Sequence, residues 1–119
     1  MLFFLKRLRL RAIWSWDGCV DVWRTEHSFR SWVWANLVSA GLALWLPITP
    51  AERALILALG ILVLAFELIN SAIERVVDDI GQDQRPLAKQ AKDAGSAGVA
   101  VAASAAGVAW VAVLAGLTR

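Results

Sequence analysis

The sequence predicts an all-α membrane protein: an amphipathic helix on the membrane surface, then three transmembrane helices. Three observations lead there. Of the 119 residues, 59% are hydrophobic and mean hydropathy is +0.59, more apolar surface than so small a soluble domain can hide. The apolar residues gather into three long segments separated by proline-bearing or charged stretches. Lysine and arginine are spread unevenly among the connections, the mark of a fixed orientation in a bilayer. Seven tryptophans and no tyrosine agree, because tryptophan favours the membrane–water boundary. The net charge is only +2, so no nucleic-acid partner is expected. The single cysteine, Cys19, excludes an internal disulfide framework and a cysteine metal cage.

The elements follow in order. Residues 1–30 are predicted as the surface helix. Leu5, Leu8, Ala12, Trp16, Val20 and Trp23 recur at spacings of three and four and form an apolar stripe. Lys6, Arg7, Arg11, Asp17, Asp21 and Arg24 lie mostly off it, although Leu10 and Trp14 point away from the stripe and Arg9 lies near it. The opening "MLFFLKRLRLRAIW" has its apolar residues before its charges and no small-residue cleavage site, so it is expected to be retained. The first span is "WVWANLVSAGLALWLPI", residues 32–48, bracketed by Trp32, Trp34 and Trp45 and broken by Pro47 and Pro50. The second helix covers 50–79, apolar in its first half and polar in its second. Its start carries a capping box, Thr49 with Glu52, and Pro50 at the first position. A polar loop is expected over 80–93. The third span, 94–117, is rich in glycine, alanine and serine, which let membrane helices approach closely.

Six lysines and arginines precede the first span (Lys6, Arg7, Arg9, Arg11, Arg24, Arg30). Arg53 alone stands between the first and second, four stand between the second and third (Arg75, Arg85, Lys89, Lys92), and Arg119 follows the third. The N-terminus and the 79–93 connection are therefore expected on the cytoplasmic side and the C-terminus outside.

A polar constellation interrupts this pattern. On a helical wheel Glu67, Asn70, Ser71, Glu74 and Asp78 share one face of the second helix, flanked by Arg75. Carboxylates at membrane depth are costly and face protein or water rather than lipid. Two of them one or two turns apart repel, so compensation is expected from a metal ion, a basic side chain or protonation. Arg75 and Asp79 also suit a merely solvated helix end, a reading that fits Glu67 and Asn70 less well because apolar residues flank them on both sides. A di-metal bundle site would want histidine where Asn70 stands, and the only histidine is His27; a hard, oxygen-ligated cation such as Mg²⁺ fits better. In "AKQAKDAGSAG", residues 88–98, Lys92 and Asp93 lie where the polar connection meets the third span, beside Gly95 and Gly98. A lysine beside small residues at a helix start can hold phosphate, although the order is not that of a P-loop and, taken alone, the stretch reads first as a positive-inside topological signal. Cys19 is read as packing.

These residues carry a family resemblance. "ELINSAIERVVD" resembles the signature E-x-x-N-[ST]-A-I-E-x-x-V-D of the small integral-membrane bacterial diacylglycerol kinases. "AKDAGSA" is similar to that family's second block, and "TEHSFR" to its E-x-x-x-R element. The resemblance covers nearly the whole chain. It implies a homotrimer in the bacterial inner membrane, transferring the γ-phosphate of MgATP to a lipid hydroxyl, diacylglycerol becoming phosphatidic acid. It implies Glu67 as general base, Glu26 and Glu74 holding Mg²⁺ and the nucleotide phosphates, and Lys92 on phosphate. Asn70 would orient the cluster; Arg7, Asp78 and Asp93 would lie near the nucleotide; and Ser71, Gly95 and Ser96 would complete the site shell. The pattern departs in Trp32, where diacylglycerol-specific members carry glutamate, and in Asp17, where a basic residue is common. Thr25 and "PLAKQAKD" are closer to the related undecaprenol kinases. Undecaprenol is therefore the alternative substrate. From other classes, a non-catalytic membrane subunit or a cation pathway along the Glu67 face are the alternatives; neither gives a reason for Glu26, Glu67, Glu74 and Lys92 together.

Overall fold

The computed structural model describes residues 1–119 as four helices without strands: α1 (Leu2–Thr25), α2 (His27–Trp45), α3 (Pro50–Ile80) and α4 (Pro86–Leu117). At about 1.5 Å per residue, α3 and α4 are each over about 45 Å long, and both are apolar and long enough to cross a membrane. The 19 residues of α2 reach about 28 Å, close to the thickness of a hydrocarbon core.

Local chemistry sets the start of α3. The Glu52 N–H donates to Thr49 Oγ1 (3.2 Å) and the Thr49 N–H to Glu52 Oε2 (2.8 Å), with Pro50 supplying a pre-set φ at the first position. Just before it, Leu46 is extended (φ −70°, ψ 146°), as a residue preceding proline should be, and α2 stops. Arg53 reaches back to the carbonyl of Ala43 (2.7 Å) in the last turn of α2 and to those of Leu46 (3.3 Å) and Ile48 (3.4 Å) in the turn that follows.

Two boundaries differ from those expected. The surface helix ends at Thr25 rather than near residue 30, and α2 begins at His27, ahead of the apolar run at 32. No proline or glycine marks this break; Glu26 is extended (φ −109°, ψ 113°), and Arg30 caps the end of α1 through the carbonyls of Trp23 (2.7 Å) and Arg24 (3.2 Å). The expected polar loop over 80–93 shrinks to residues 81–85. Pro86 starts α4, so "PLAKQAKD" is helix, supported by a Lys89–Asp93 pair one turn apart (2.5 Å).

Helix α3 lies between α4 and α2, and only the C-terminal part of α1 approaches α3. α2 and α4 meet through Trp110, whose Nε1–H donates to Ser39 Oγ at 2.9 Å. The molecule is a slab of 54 × 46 × 23 Å. Ala43, Ile48, Ile56, Ala109 and Val113 form its apolar core, near the α2–α3 turn. Elsewhere large apolar side chains such as Trp45, Val101 and Val108 face outward, a surface made for lipid or for other protein.

Candidate active site

The polar face foreseen in α3 is present, and α2 and α4 wall it in. Glu67, Asn70 and Glu74 line one side of a cavity of about 350 Å³; Ser28 and Trp32 of α2 and Ser96 of α4 stand around it. Glu67 is 3% exposed and Ser71 is 2% exposed. Neither Glu67 nor Glu74 takes part in an ion pair. The Asn70 amide Nδ2 donates to Glu74 Oε1 at 3.3 Å, while Asn70 Oδ1 is buried without a partner. A buried, unsatisfied carbonyl oxygen is costly, and such groups persist where function needs them.

Gly95 makes this approach feasible. A Cβ there would collide with Asn70 Oδ1 and touch Ile73 Cδ1 at 3.5 Å, so any larger residue would force the Asn70 side chain or α4 to shift.

The remaining expected residues divide into two groups. Asp78, Lys92 and Asp93 line a second, larger cavity of about 560 Å³, between the end of α3 and the start of α4. Lys92 Nζ lies 2.5 Å from Asp78 Oδ1, and Lys89 Nζ 2.5 Å from Asp93 Oδ2. Arg85, also in the lining of this cavity, donates to the carbonyls of Val77 (3.1 Å) and Gly81 (2.9 Å) at the C-terminal end of α3. Glu26 lines neither cavity; its carboxylate lies 3.9 Å from Arg75 at the α1–α2 break. Arg7 is exposed on α1, over the ring of Phe3 (5.5 Å to the centroid), about 20 Å along the helix from Asp21.

Sequence reasoning did not find Ser28, Val99 or Ala100 as cavity walls, nor the partners of Arg75. Ser28 and Trp32 stand one helical turn apart, a spacing visible in the sequence once α2 is known to begin at His27.

Glu67 and Glu74 bring two carboxylates to the first cavity, the kind of oxygen donor a hard divalent cation takes, while Asn70 Oδ1 is turned against Gly95. No three acidic, histidine or cysteine side chains converge into a preformed cage. That arrangement is compatible with Mg²⁺, which keeps waters and substrate phosphates and takes one or two carboxylates from the protein.

Two helices of membrane-crossing length, with a cavity beside them lined by two carboxylates outside any ion pair, are consistent with a helical membrane protein carrying an acid-lined site. Residues 13–114 match the family model of prokaryotic diacylglycerol kinase. A Pseudomonas aeruginosa protein named diacylglycerol kinase is 40% identical over 89 residues, covering 75% of this chain and 72% of that one. A protein of that name from Escherichia coli strain K12 is 38% identical over 87 residues (73% and 71%), and one from Helicobacter pylori strain J99 is 40% identical over 88 (74% and 69%). The chain belongs to the prokaryotic diacylglycerol kinase family, and with it to the lipid kinases.

Proposed function

We propose that the protein phosphorylates diacylglycerol at the expense of MgATP, with Glu67 as general base. The observation that carries this reading is the state of Glu67: buried, outside any ion pair, open to the cavity, and placed where α3 turns from apolar to polar. A lipid hydroxyl lies at that depth, at the membrane interface. A carboxylate there accepts the hydroxyl proton as the lipid oxygen attacks the γ-phosphorus. One lipid O–P bond forms, the bond from γ-phosphorus to the bridging oxygen breaks, and ADP leaves with the electron pair. The proton stays on Glu67 until product release returns it to water.

Phosphoryl transfer needs positioning and charge neutralisation more than covalent chemistry. Glu74, two turns further along α3, would hold the metal, its carboxylate steadied by Asn70 Nδ2. Glu26 would add a second carboxylate from the α1–α2 break. Mg²⁺, when bound with the nucleotide, would offset charge on the phosphates. Lys92 would meet phosphate oxygens, exchanging Asp78 for the nucleotide, and Asp93 with Lys89 would border the nucleotide. Ser71, Gly95 and Ser96 would form the shell around these groups. The two cavities, on adjoining turns of α3, would take lipid and nucleotide ends.

Three spans per chain, a homotrimer, and residence in the bacterial inner membrane complete the proposal. Support comes from the outward apolar faces, the small residues of α4, and the lysine and arginine distribution, which puts the cavity end and the N-terminus on the cytoplasmic side. A second reading, undecaprenol as acceptor, draws on Trp32, which walls the cavity where diacylglycerol-specific members carry glutamate. Labelled ATP with Mg²⁺, offered with each lipid in turn to bilayer-reconstituted protein, decides between them. Transfer to diacylglycerol is expected; transfer to undecaprenol alone makes the second reading correct, and transfer to neither removes both.

A further inference from the structure

The bend between α1 and α2 has no proline, no glycine and no side-chain cap from Glu26. What holds it comes from elsewhere. Arg30 returns from α2 to the last carbonyls of α1. Arg75 reaches over from α3: its Nη1 pairs with the Asp21 carboxylate, and its Nη2 donates to Thr25 Oγ1 at 2.8 Å and lies 3.9 Å from Glu26 Oε1. Thr25 Oγ1 donates in turn to the Asp21 carbonyl at 2.8 Å. Asp21 and Thr25 stand one helical turn apart, so one guanidinium fork grips two successive turns of α1 and the extended residue that follows. Val22 and Phe29, on either side of the bend, are buried, so apolar docking brings the segment to the bundle and the fork sets how it sits. Arg75 directly follows Glu74, so the grip fastens the bend to the same turn of α3 that carries the candidate metal ligand.

We propose that Arg75 is a positioning residue for nucleotide binding: by clasping Asp21 and Thr25 it holds the α1–α2 bend, and with it the Glu26 carboxylate, against the acid-bearing end of α3. The proposal rests on the reading that Glu26 serves the metal–phosphate group of the nucleotide. Its cation also lies beside the Glu26 carboxylate and next in sequence to Glu74, so it offsets negative charge at this end of α3.

The test uses the full chain in lipid nanodiscs, with hydrogen exchange of the backbone around residues 19–26 and steady-state kinetics in MgATP. Arg75→Ala should speed exchange at the bend and raise the KM for MgATP roughly threefold, with a smaller change in kcat, the size set by partly exposed ion pairs. The paired change Asp21→Asn with Thr25→Val should reproduce that KM rise without touching α3. Unchanged exchange in Arg75→Ala overturns the clasp. A KM rise in Arg75→Ala that the α1 changes do not reproduce overturns it too, placing the effect of Arg75 locally beside Glu74. Glu26→Gln is measured alongside. If it raises KM while both clasp variants leave KM unchanged, the positioning role fails and the reading of Glu26 stands. If Glu26→Gln leaves KM unchanged, the reading of Glu26 fails and the positioning role with it.

Discussion

Around the α2–α3 turn, Ala43, Ile48, Ile56, Ala109 and Val113 close an apolar cluster, Arg53 answers three carbonyls, and Thr49 and Glu52 complete a reciprocal cap. At the other end of the same α3 helix, Glu67 is buried outside any ion pair, Asn70 Oδ1 has no partner, and Arg85 Nε is buried without one. One end has its cap and carbonyls satisfied around a covered apolar cluster. The other retains costs that a purely structural helix pair would shed. The contrast separates what keeps the bundle together from what it is kept together for, and substitutions at the two ends should separate stability from turnover in the same way.

The sharpest break is expected at Glu67. Glu67→Gln should lower phosphate transfer by about a hundredfold or more, the scale of a lost general base, while the detergent unfolding midpoint stays level or rises because a buried carboxylate is gone. Near-normal turnover would take Glu67 out of the base role. Next comes Ile56→Ala at the turn end, where a 2% exposed side chain fills the cluster. Its removal should cost about 2–5 kcal/mol of stability by denaturant titration, with turnover per folded molecule preserved. Equal losses of both quantities would erase the division between the ends. Gly95→Ala should do some of each, because the new Cβ meets Asn70 Oδ1. About 1–3 kcal/mol of stability should go, and turnover should fall with it as Asn70 and its bond to Glu74 shift. Full activity with full stability would show that α4 can slide away from Asn70. The smallest effect is expected for Thr49→Ala, about 1 kcal/mol from the lost cap and unaltered kinetics; a change in KM would mean that the turn end communicates with the site.

Much of this contrast was legible beforehand, and the exceptions have a common cause. The start of α3 could be read to the residue, because Thr49, Pro50 and Glu52 act on each other within one turn. The shared face of Glu67, Asn70, Ser71 and Glu74 follows from helical spacing alone. The bend at Glu26 could not be read: its fastening comes from Arg30 and from Arg75, fifty residues from Thr25 in the chain. Residues 86–93 misled in the other direction, since their polarity suits a loop although Pro86 and the Lys89–Asp93 pair suit a helix start. The walls formed by Ser28, Val99 and Ala100 were invisible for the same reason as the bend.

By itself, then, the sequence determined the helical character of the chain, the capped start of α3, the apolar lengths and the acidic face of α3, all properties of residues within a turn or two of each other and so carried by local order. The tertiary structure alone decided that α4 crosses at Gly95 against Asn70, that α2 closes the cavity with Ser28 and Trp32, and that Arg75 grips α1. Those are meetings between residues far apart in the chain, and they depend on how four helices settle their surfaces together, which no spacing along one of them records.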